Sequence, residues 1–183
     1  MPGRLFTKPL NTSLHATLAA VRAAREARLL TALKPIATRL DAFMVRRAGA
    51  FRRRIQERRL VDGHGDLRPE HVYLRDMPRI IDCLEFNREF RLVDPLEELA
   101  FLWMECTRLG APNWGELFLR VYLKEVGDDA PDELMWFYMA SRACLRAKLA
   151  LGHLLDGEVR DPRRWLDQAD QYLDLANRYA ARL

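Results

Sequence analysis

The segment at residues 61–87 has the pattern of a β-hairpin and carries an unusual density of chemically active side chains. It reads VDGHGDLRPEHVYLRDMPRIIDCLEFN. Two short apolar runs, residues 71–74 and 79–83, flank a polar stretch with turn chemistry. A hairpin brings the residue that enters its first strand close to the residue that leaves its second strand. We therefore predict that the loop at residues 64–71 and Asp82 converge on one spot.

The composition is that of an ordinary globular protein. Of the 183 residues, 49% are hydrophobic and 31% are charged, which allows one domain with a sizeable core. The net charge of +4 favours anionic ligands only weakly. Cys83, Cys106 and Cys144 form no paired motif, which is typical of reduced thiols in a cytoplasmic protein. No apolar run approaches the ~20 residues of a membrane helix, so no membrane partner is expected.

Helical periodicity outside the hairpin predicts an α+β fold that is mainly α-helical. A first helix is expected to end or kink at Pro35, and a second helix starts at Ile36. Later helices are predicted to begin near Asp94, Asn113, Pro131 and Pro162. We predict a single domain with an N-terminal helical extension (1–35), a core that carries the motifs (36–110) and a helical subdomain (111–183).

Two basic stretches allow alternative interpretations. The second helix carries seven arginines that mostly face away from its apolar side: Arg46, Arg47, Arg52, Arg53, Arg54, Arg58 and Arg59. Because few aromatic residues interleave them and no binding motif is present, a solvated helix face is favoured over a nucleic-acid partner. The segment before Glu26 has no acidic residue and resembles a transit peptide in composition. A surface helix with a basic face is the alternative for that segment.

The side chains of the central segment suit phosphoryl transfer. Asp66 follows a glycine in the predicted loop, and a loop carboxylate can orient or deprotonate a hydroxyl nucleophile. Asp82 lies at the end of the second predicted strand. Carboxylates are hard oxygen ligands that suit a Mg²⁺ ion bridging phosphates. His71 could add a ligand or a hydrogen bond. In phosphoryl transfer, positioning and charge neutralisation supply most of the catalysis.

The motifs HGDLRPEH and IIDCLEF resemble the catalytic and metal-binding segments of aminoglycoside phosphotransferases and choline-kinase-like enzymes. Within that group the chain is most similar to an uncharacterised bacterial phosphotransferase-like branch. The resemblance covers residues 36–110 best and implies a protein-kinase-like fold. It implies that Asp66 is the catalytic base, that His64 braces the loop, and that Asp82 binds metal. Asp94, in LVDPLEELA, is similar to an aspartate that begins a helix under the catalytic loop.

The same resemblance implies ATP and Mg²⁺ as cofactors, with His71 and Asp82 at the cofactor and metal site. His71 stands where the family has Asn, and imidazole is a softer and bulkier ligand for Mg²⁺ than an amide oxygen. A second departure is that no Gly-rich loop precedes the motif, and neither Lys8 nor Lys34 lies in a strand-like context. The chain therefore resembles the C-terminal lobe alone. It is expected to have little activity unless a partner chain supplies the nucleotide lobe.

Three functions stay open from the sequence. The first is ATP-dependent phosphoryl transfer to a hydroxyl of a small molecule, with no acceptor indicated. The second is a kinase-like binding or scaffold module that has lost catalysis. The third is a metal-dependent phosphohydrolase that uses His64, Asp66, His71 and Asp82 as a cluster. Structural roles as a loop cap, a hydrogen-bonding partner or a salt-bridge partner are the alternatives for Asp66, His71 and Asp82, and a surface salt bridge is favoured for Arg68.

Overall fold

A computed structural model describes residues 27–154 and 159–183 as a mainly helical chain with two small antiparallel sheets. The helices are α1 (Ala27–Arg46), α2 (Ala48–Gln56), α3 (Pro95–Arg108), α4 (Pro112–Val126), α5 (Asp132–Gly152) and α6 (Pro162–Ala180). The strands are β1 (Val61–Asp62), β2 (Val72–Tyr73), β3 (Arg79–Ile80) and β4 (Leu92–Val93). The predicted α+β class with a mainly helical content is confirmed.

The hairpin forms where its pattern predicts it. β2 pairs antiparallel with β3, and Val72 lies opposite Ile80. A second antiparallel pair, β1 with β4, places Val61 opposite Val93. Two-residue strands are too short to show periodicity, so this second pair could not be predicted from the sequence. Since β1 precedes the HGD motif and β4 precedes α3, the pairing ties the motif to the start of that helix.

The helices α3 and α4 begin in different ways, the first with a capping side chain and the second with a proline in its first turn. Asp94 caps α3 as predicted, because its Oδ1 accepts a hydrogen bond from the backbone N–H of Leu96 at 3.0 Å. The helix predicted near Asn113 is α4, but Asn113 does not cap it. The helix begins at Pro112 after Ala111, since a proline in the first turn leaves no amide hydrogen unsatisfied.

Pro35 does not end the first helix. α1 continues through it to Arg46, and the break falls at Arg47 instead. A proline within a helix removes a hydrogen bond and costs ~3 kcal/mol. Buried Leu33 and Ile36 on either side of it favour the unbroken helix, because most helical stability in proteins comes from packing. The segment that resembles a transit peptide lies outside the described residues.

The chain divides into two compact units. Unit 1 comprises residues 1–52 and 140–183, and in its described part α1 packs against α6. Its core contains Leu33, Leu40, Phe43, Ala143, Leu151, Tyr172 and Ala176. Unit 2 comprises residues 53–139 and contains both sheets, α3 and α4. Every candidate site residue lies in unit 2, and the predicted subdivision at residues 35 and 110 stays a prediction.

No helix among the described residues has the length and apolar character needed to span a membrane.

Candidate functional site

The HGD loop (residues 63–71) is held by a buried carboxylate from α3. Glu98 accepts hydrogen bonds from the backbone N–H groups of His64 at 2.8 Å and of Gly65 at 2.6 Å. Hydrogen bonds to an ionised group are roughly twice as strong as neutral ones. Sequence reasoning missed Glu98, because a glutamate in an amphipathic helix usually faces solvent. One feature of the sequence could have indicated Glu98. It lies one helical turn after the Asp94 cap, so both residues are on the same side of α3.

Two glycines let the HGD loop lie close to the backbone that follows the hairpin. Gly65 has φ +84°, and a Cβ there would lie 2.8 Å from the Phe90 carbonyl oxygen and 2.9 Å from Leu84 Cδ1. At Gly63 a Cβ would lie 2.8 Å from Val93 Cγ2. The left-handed conformation and the close approach both favour glycine. The HGD loop is therefore shaped by backbone packing as well as by its polar contacts.

Leu67 anchors the middle of the HGD loop in the core of unit 2. It is buried in a cluster with Leu102 and Cys106, and Val72 and Phe118 pack against that cluster. Because Leu67 directly follows Asp66 in the chain, its burial limits where the Asp66 carboxylate can lie. The buried leucine and the glycine before Asp66 together give the loop one defined course.

His64 uses both of its ring nitrogens to hold the HGD loop against the second hairpin strand. Nε2 lies 2.7 Å from the Ile81 carbonyl oxygen, and Nδ1 lies 3.3 Å from the backbone nitrogen of Asp66. A carbonyl only accepts and an amide only donates, so Nε2 carries the hydrogen and Nδ1 accepts. The backbone N–H of Leu84 also donates to the His64 carbonyl at 3.0 Å. This arrangement gives His64 a positioning role and leaves no lone pair for a metal.

His71 is the side chain that joins the HGD loop to the hairpin. Its Nδ1 lies 2.9 Å from the backbone oxygen of Asp66, and its Nε2 lies 3.3 Å from Asp82 Oδ2. Nδ1 therefore carries the hydrogen and donates to that carbonyl. The ring stacks on His64 with centroids 5.3 Å apart, and only 5% of the side chain is exposed. The predicted convergence of the loop and Asp82 is confirmed through this residue.

Asp82 has an unusual backbone conformation beside His71. Among the described residues, Asp82 and Arg58 are the non-glycine residues with positive φ, and Asp82 has φ +64°. Such conformations cost of order 1–3 kcal/mol and cluster at functional sites. The Asp82 side chain is 75% exposed. Its carboxylate is therefore open to solvent on one side and faces a histidine nitrogen on the other.

The Asp66 carboxylate pairs with Arg68. Arg68 Nε donates to Asp66 Oδ2 at 3.0 Å, and Nη1 donates to Glu70 Oε1 at 2.5 Å. Arg68 Nη2 lies 3.1 Å from His71 Nε2. The Asp66 side chain is 25% exposed, so solvent reaches this candidate base. Arg68 forms a salt bridge as expected, but the bridge lies within the site and both side chains are mostly buried, not on the surface. Glu85, three residues after Asp82, is exposed.

His71 and Asp82 offer two donor atoms to a metal. Within the described ranges, no group of three or more His, Cys, Asp or Glu side chains is placed to hold a metal ion. Mg²⁺ usually binds one or two carboxylates together with waters and substrate phosphates. Two ligands of one ion are about 3 Å apart when each lies at 2.0–2.1 Å, close to the 3.3 Å between Nε2 and Oδ2. In separation alone the pair matches two ligands of one ion, whose other ligands would have to come from water and phosphate.

A buried ion cluster fixes the start of α3. Arg54 was expected among the solvated arginines, but it is buried and makes two hydrogen bonds to Asp94, both at 2.7 Å. It makes two more to Asp128, at 2.5 and 2.8 Å. Tyr138 and Tyr122 donate to these carboxylates. The cluster holds the Asp94 cap in place, and α3 in turn carries Glu98 to the HGD loop.

The charges of this cluster support each other. Burial opposes the Arg54 charge, yet the hydrogen bonds to Asp94 and Asp128 raise the pKa of Arg54 above its usual range. Burial likewise opposes ionisation of Asp128, but the hydrogen bond and charge of Arg54, the backbone N–H of Ala130 and the charge of Arg59 together outweigh it, so the pKa of Asp128 is lowered. Sequence reasoning missed this cluster because its members are 40 and 74 residues apart in the chain.

The chain has uncharacterised mycobacterial relatives. It is 39% identical over 141 residues to uncharacterised proteins of Mycobacterium bovis and of two strains of Mycobacterium tuberculosis, CDC 1551 and H37Rv. The match covers 75% of this chain but 28% of each relative, so the chain spans less than a third of the curated relatives' length. No protein-family model matches the chain. No solved structure matches it significantly.

Proposed function

We propose that this chain is the catalytic half of a phosphotransferase with a protein-kinase-like fold, which transfers the γ-phosphoryl group of ATP to a hydroxyl of a small molecule. The observation that carries the proposal is the meeting of the HGD loop and the hairpin at His71. Its Nδ1 lies 2.9 Å from the Asp66 backbone, and its Nε2 lies 3.3 Å from Asp82. The resemblance of HGDLRPEH and IIDCLEF to phosphotransferase motifs supplies the reaction class.

Asp66 is the proposed general base. The acceptor hydroxyl oxygen attacks the γ-phosphorus, the bond from that phosphorus to the bridging oxygen of ADP breaks, and the hydroxyl proton passes to the Asp66 carboxylate. The loop geometry supports this role. Leu67 is buried and Gly65 is held by Glu98, so the carboxylate between them is fixed while one quarter of its side chain stays exposed.

His71 and Asp82 are the proposed protein ligands of the metal, which when bound would neutralise phosphate charge. Asp82 offers a hard carboxylate oxygen, and His71 offers an imidazole nitrogen whose orientation is set by its hydrogen bond to the Asp66 carbonyl. Imidazole suits transition metals better than it suits Mg²⁺. Mn²⁺ is therefore expected to bind at least as well as Mg²⁺.

A nucleotide-binding lobe is the proposed partner, either on the same polypeptide or as a separate chain. The hairpin and the loop after it expose several large apolar side chains: Tyr73, Leu74, Met77, Ile80, Ile81, Phe86, Phe90 and Leu92. Exposed apolar clusters of this kind mark interaction sites. The mycobacterial relatives extend well beyond the matched 28% of their length, which is compatible with such a lobe in the relatives.

A kinase-like binding module without catalysis is the second candidate. His71 in place of the family's Asn favours it, as does the contact of Arg68 with His71 Nε2 at 3.1 Å. Nucleotide binding without any turnover in the presence of an intact Asp66 would identify this alternative. The phosphohydrolase cluster gains no support, because both His64 ring nitrogens are used in hydrogen bonds to the backbone.

Thermal unfolding with ATP and Mg²⁺ tests the proposed function. We expect Mg²⁺–ATP to raise the Tm by a few degrees, about the effect of saturating a site on a chain of this size. Asp82→Asn should remove the part of the rise that depends on Mg²⁺. Asp66→Asn should keep the rise, because it changes the proposed base and not a proposed metal ligand. Asp76→Asn, in the exposed turn of the same hairpin, is the matched control for the lost charge. A rise that is independent of Mg²⁺ or of Asp82 would contradict the proposal.

A further inference from the structure

The guanidinium of Arg68 contacts three groups of the candidate site at once. It reaches Asp66 Oδ2 at 3.0 Å, Glu70 Oε1 at 2.5 Å and His71 Nε2 at 3.1 Å. Its side chain is mostly buried, with 20% exposed. The arginine therefore places a fixed positive charge beside Asp66, the candidate base. The same charge lies beside His71 Nε2, the proposed metal ligand.

The hydrogen-bond roles at His71 have one consistent solution while Arg68 is in this position. Nδ1 carries the hydrogen because it donates to the Asp66 carbonyl. A guanidinium has donors and no acceptor, so Nε2 must accept from Arg68 Nη2. Nε2 then presents no hydrogen to the Asp82 carboxylate, although Oδ2 lies 3.3 Å away. Two acceptor atoms this close to each other repel, and a cation near both offsets that repulsion.

We propose that Arg68 is an internal cation that competes with the divalent metal for His71 Nε2. The proposal rests on the metal role of His71 and Asp82. The lone pair of Nε2 serves either the arginine or a metal ion, so metal binding requires Arg68 to release it. Glu70 accepts a hydrogen bond from Nη1 and can keep the arginine nearby after release. The metal-free site is thereby stabilised, and its affinity for a metal alone is lowered.

This arrangement predicts opposite effects of removing Arg68 on stability and on metal affinity. Arg68→Gln removes the charge that neutralises Asp66, so the metal-free chain should unfold at a lower urea concentration. The same change frees Nε2, so Mn²⁺ should bind on the order of tenfold more tightly, as expected when a competing charged hydrogen bond is lost. A purely structural role for Arg68 would lower stability and metal affinity together.

Titration of the full chain with Mn²⁺, followed by electron paramagnetic resonance of the free ion, measures the affinity. Arg75→Gln removes an exposed arginine from the turn of the same hairpin, so it controls for net charge and should bind Mn²⁺ like the unchanged chain. Arg68→Lys keeps a charge but not the planar fork that reaches several acceptors. The Mn²⁺ affinity of Arg68→Lys should lie between those of the unchanged chain and Arg68→Gln. This variant replaces Arg68→Gln in the test if Arg68→Gln fails to fold.

The outcomes separate this inference from the proposed function. Tighter Mn²⁺ binding in Arg68→Gln that disappears when Asp82→Asn is added supports the competition. If Asp82→Asn alone weakens Mn²⁺ binding but both Arg68 variants bind like the unchanged chain, the competition is wrong and the metal site stands. If Mn²⁺ affinity depends on neither Asp82 nor Arg68, both the competition and the proposed metal site are overturned.

Discussion

Glu98 shows how one buried side chain can determine the course of a functional loop. Its two carboxylate oxygens accept from consecutive backbone N–H groups, at His64 and Gly65. In Glu98→Gln one oxygen is replaced by an NH₂ group that must face a backbone N–H, so one donor is left unsatisfied. We expect a loss of about 2 kcal/mol in the free energy of unfolding, measured by urea denaturation.

Glu116→Gln is the matched control for this change. It removes the same charge from an exposed position on α4, where surface substitutions usually change stability by less than about 0.5 kcal/mol. Equal losses in the two variants would mean that the charge of Glu98, and not its hydrogen bonds to the HGD loop, stabilises the protein. If Glu98→Gln weakens Mn²⁺ binding and Glu116→Gln does not, the hydrogen bonds from the HGD loop to Glu98 are needed to position the metal ligands.

Residues whose roles follow from local motifs could be predicted from the sequence, and residues that depend on distant partners could not. His71 and Asp82 were placed together because a hairpin brings its two ends together, whatever the remaining fold. Glu98 and Arg54 act through groups more than 30 residues away. A glutamate or arginine in an amphipathic helix has the same local pattern whether it faces water or a buried partner.

At the scale of elements, the HGD loop requires glycine at position 65, because the backbone there is left-handed and neighbouring atoms leave no room for a Cβ. Gly65 has φ +84°, and a Cβ there would meet the Phe90 carbonyl oxygen at 2.8 Å. Gly110 has nearly the same φ, +81°, with no atom within 4 Å of its Cβ position. Gly110→Ala should cost about 1 kcal/mol from backbone strain alone, while Gly65→Ala should cost about 3 kcal/mol because strain and overpacking add.

The difference between the two glycine variants isolates the steric contribution. Urea denaturation of both variants measures it, and similar losses would show that the backbone near Phe90 yields to the added methyl group. Mn²⁺ affinity gives a second measurement. Displacement of the HGD loop in Gly65→Ala should weaken metal binding at His71, whereas Gly110→Ala lies outside the loop and should not.

The elements that sequence reasoning misjudged are those decided by packing. Pro35 is a local signal for the end of a helix, but buried neighbours on α1 outweigh it. The pairing of β1 with β4 joins two-residue strands, and its register places Val61 opposite Val93. A strand of that length has no alternation to detect. The hairpin of β2 and β3 was detectable because its turn residues and its flanking runs agree.

The buried ion cluster joins α2 to the cap of α3 and to the loop after α4, so its loss should be severe. Arg54→Gln removes the buried cation that pairs with the Asp94 and Asp128 carboxylates, and leaves Asp128 only Arg59 at 3.8 Å. Removing one partner of a buried ion pair typically costs 3–5 kcal/mol, and we expect about that loss in urea denaturation. Arg52→Gln, at an exposed position on the same helix, should change stability little. A loss below about 1 kcal/mol at Arg54 would contradict the structural role.

At the scale of the whole molecule, the two units have different kinds of core. The described part of unit 1 buries mostly aliphatic and aromatic side chains of α1, α5 and α6. Unit 2 buries an ionised cluster at Arg54 and a glutamate under the HGD loop in addition to its apolar core. Ionised groups respond to pH, whereas apolar packing responds little. Acid should therefore destabilise unit 2, which carries the candidate site, more than unit 1.

Asp128 gives this acid sensitivity a definite sign. Its pKa is lowered in the folded protein because burial, which raises it, is outweighed by the hydrogen bond and charge of Arg54 together with Ala130 N–H and Arg59. A group whose folded pKa is lowered adds stability above its unfolded pKa, and that stability is lost as the pH falls through the folded value. The free energy of unfolding should therefore change little from this group between about pH 7 and 5, and should fall below about pH 4.

Urea denaturation at several pH values tests this, with tryptophan fluorescence as the probe. Three of the four tryptophans, Trp103, Trp114 and Trp136, lie in unit 2, so the signal reports mainly on the unit that contains the cluster. Asp128→Asn should be less stable at pH 7 and should lose less stability below pH 4, because the titrating group is gone. Asp76→Asn, in the exposed turn of the hairpin, should keep the slope of the unchanged chain. If Asp128→Asn keeps that slope too, acid acts on the protein through other carboxylates.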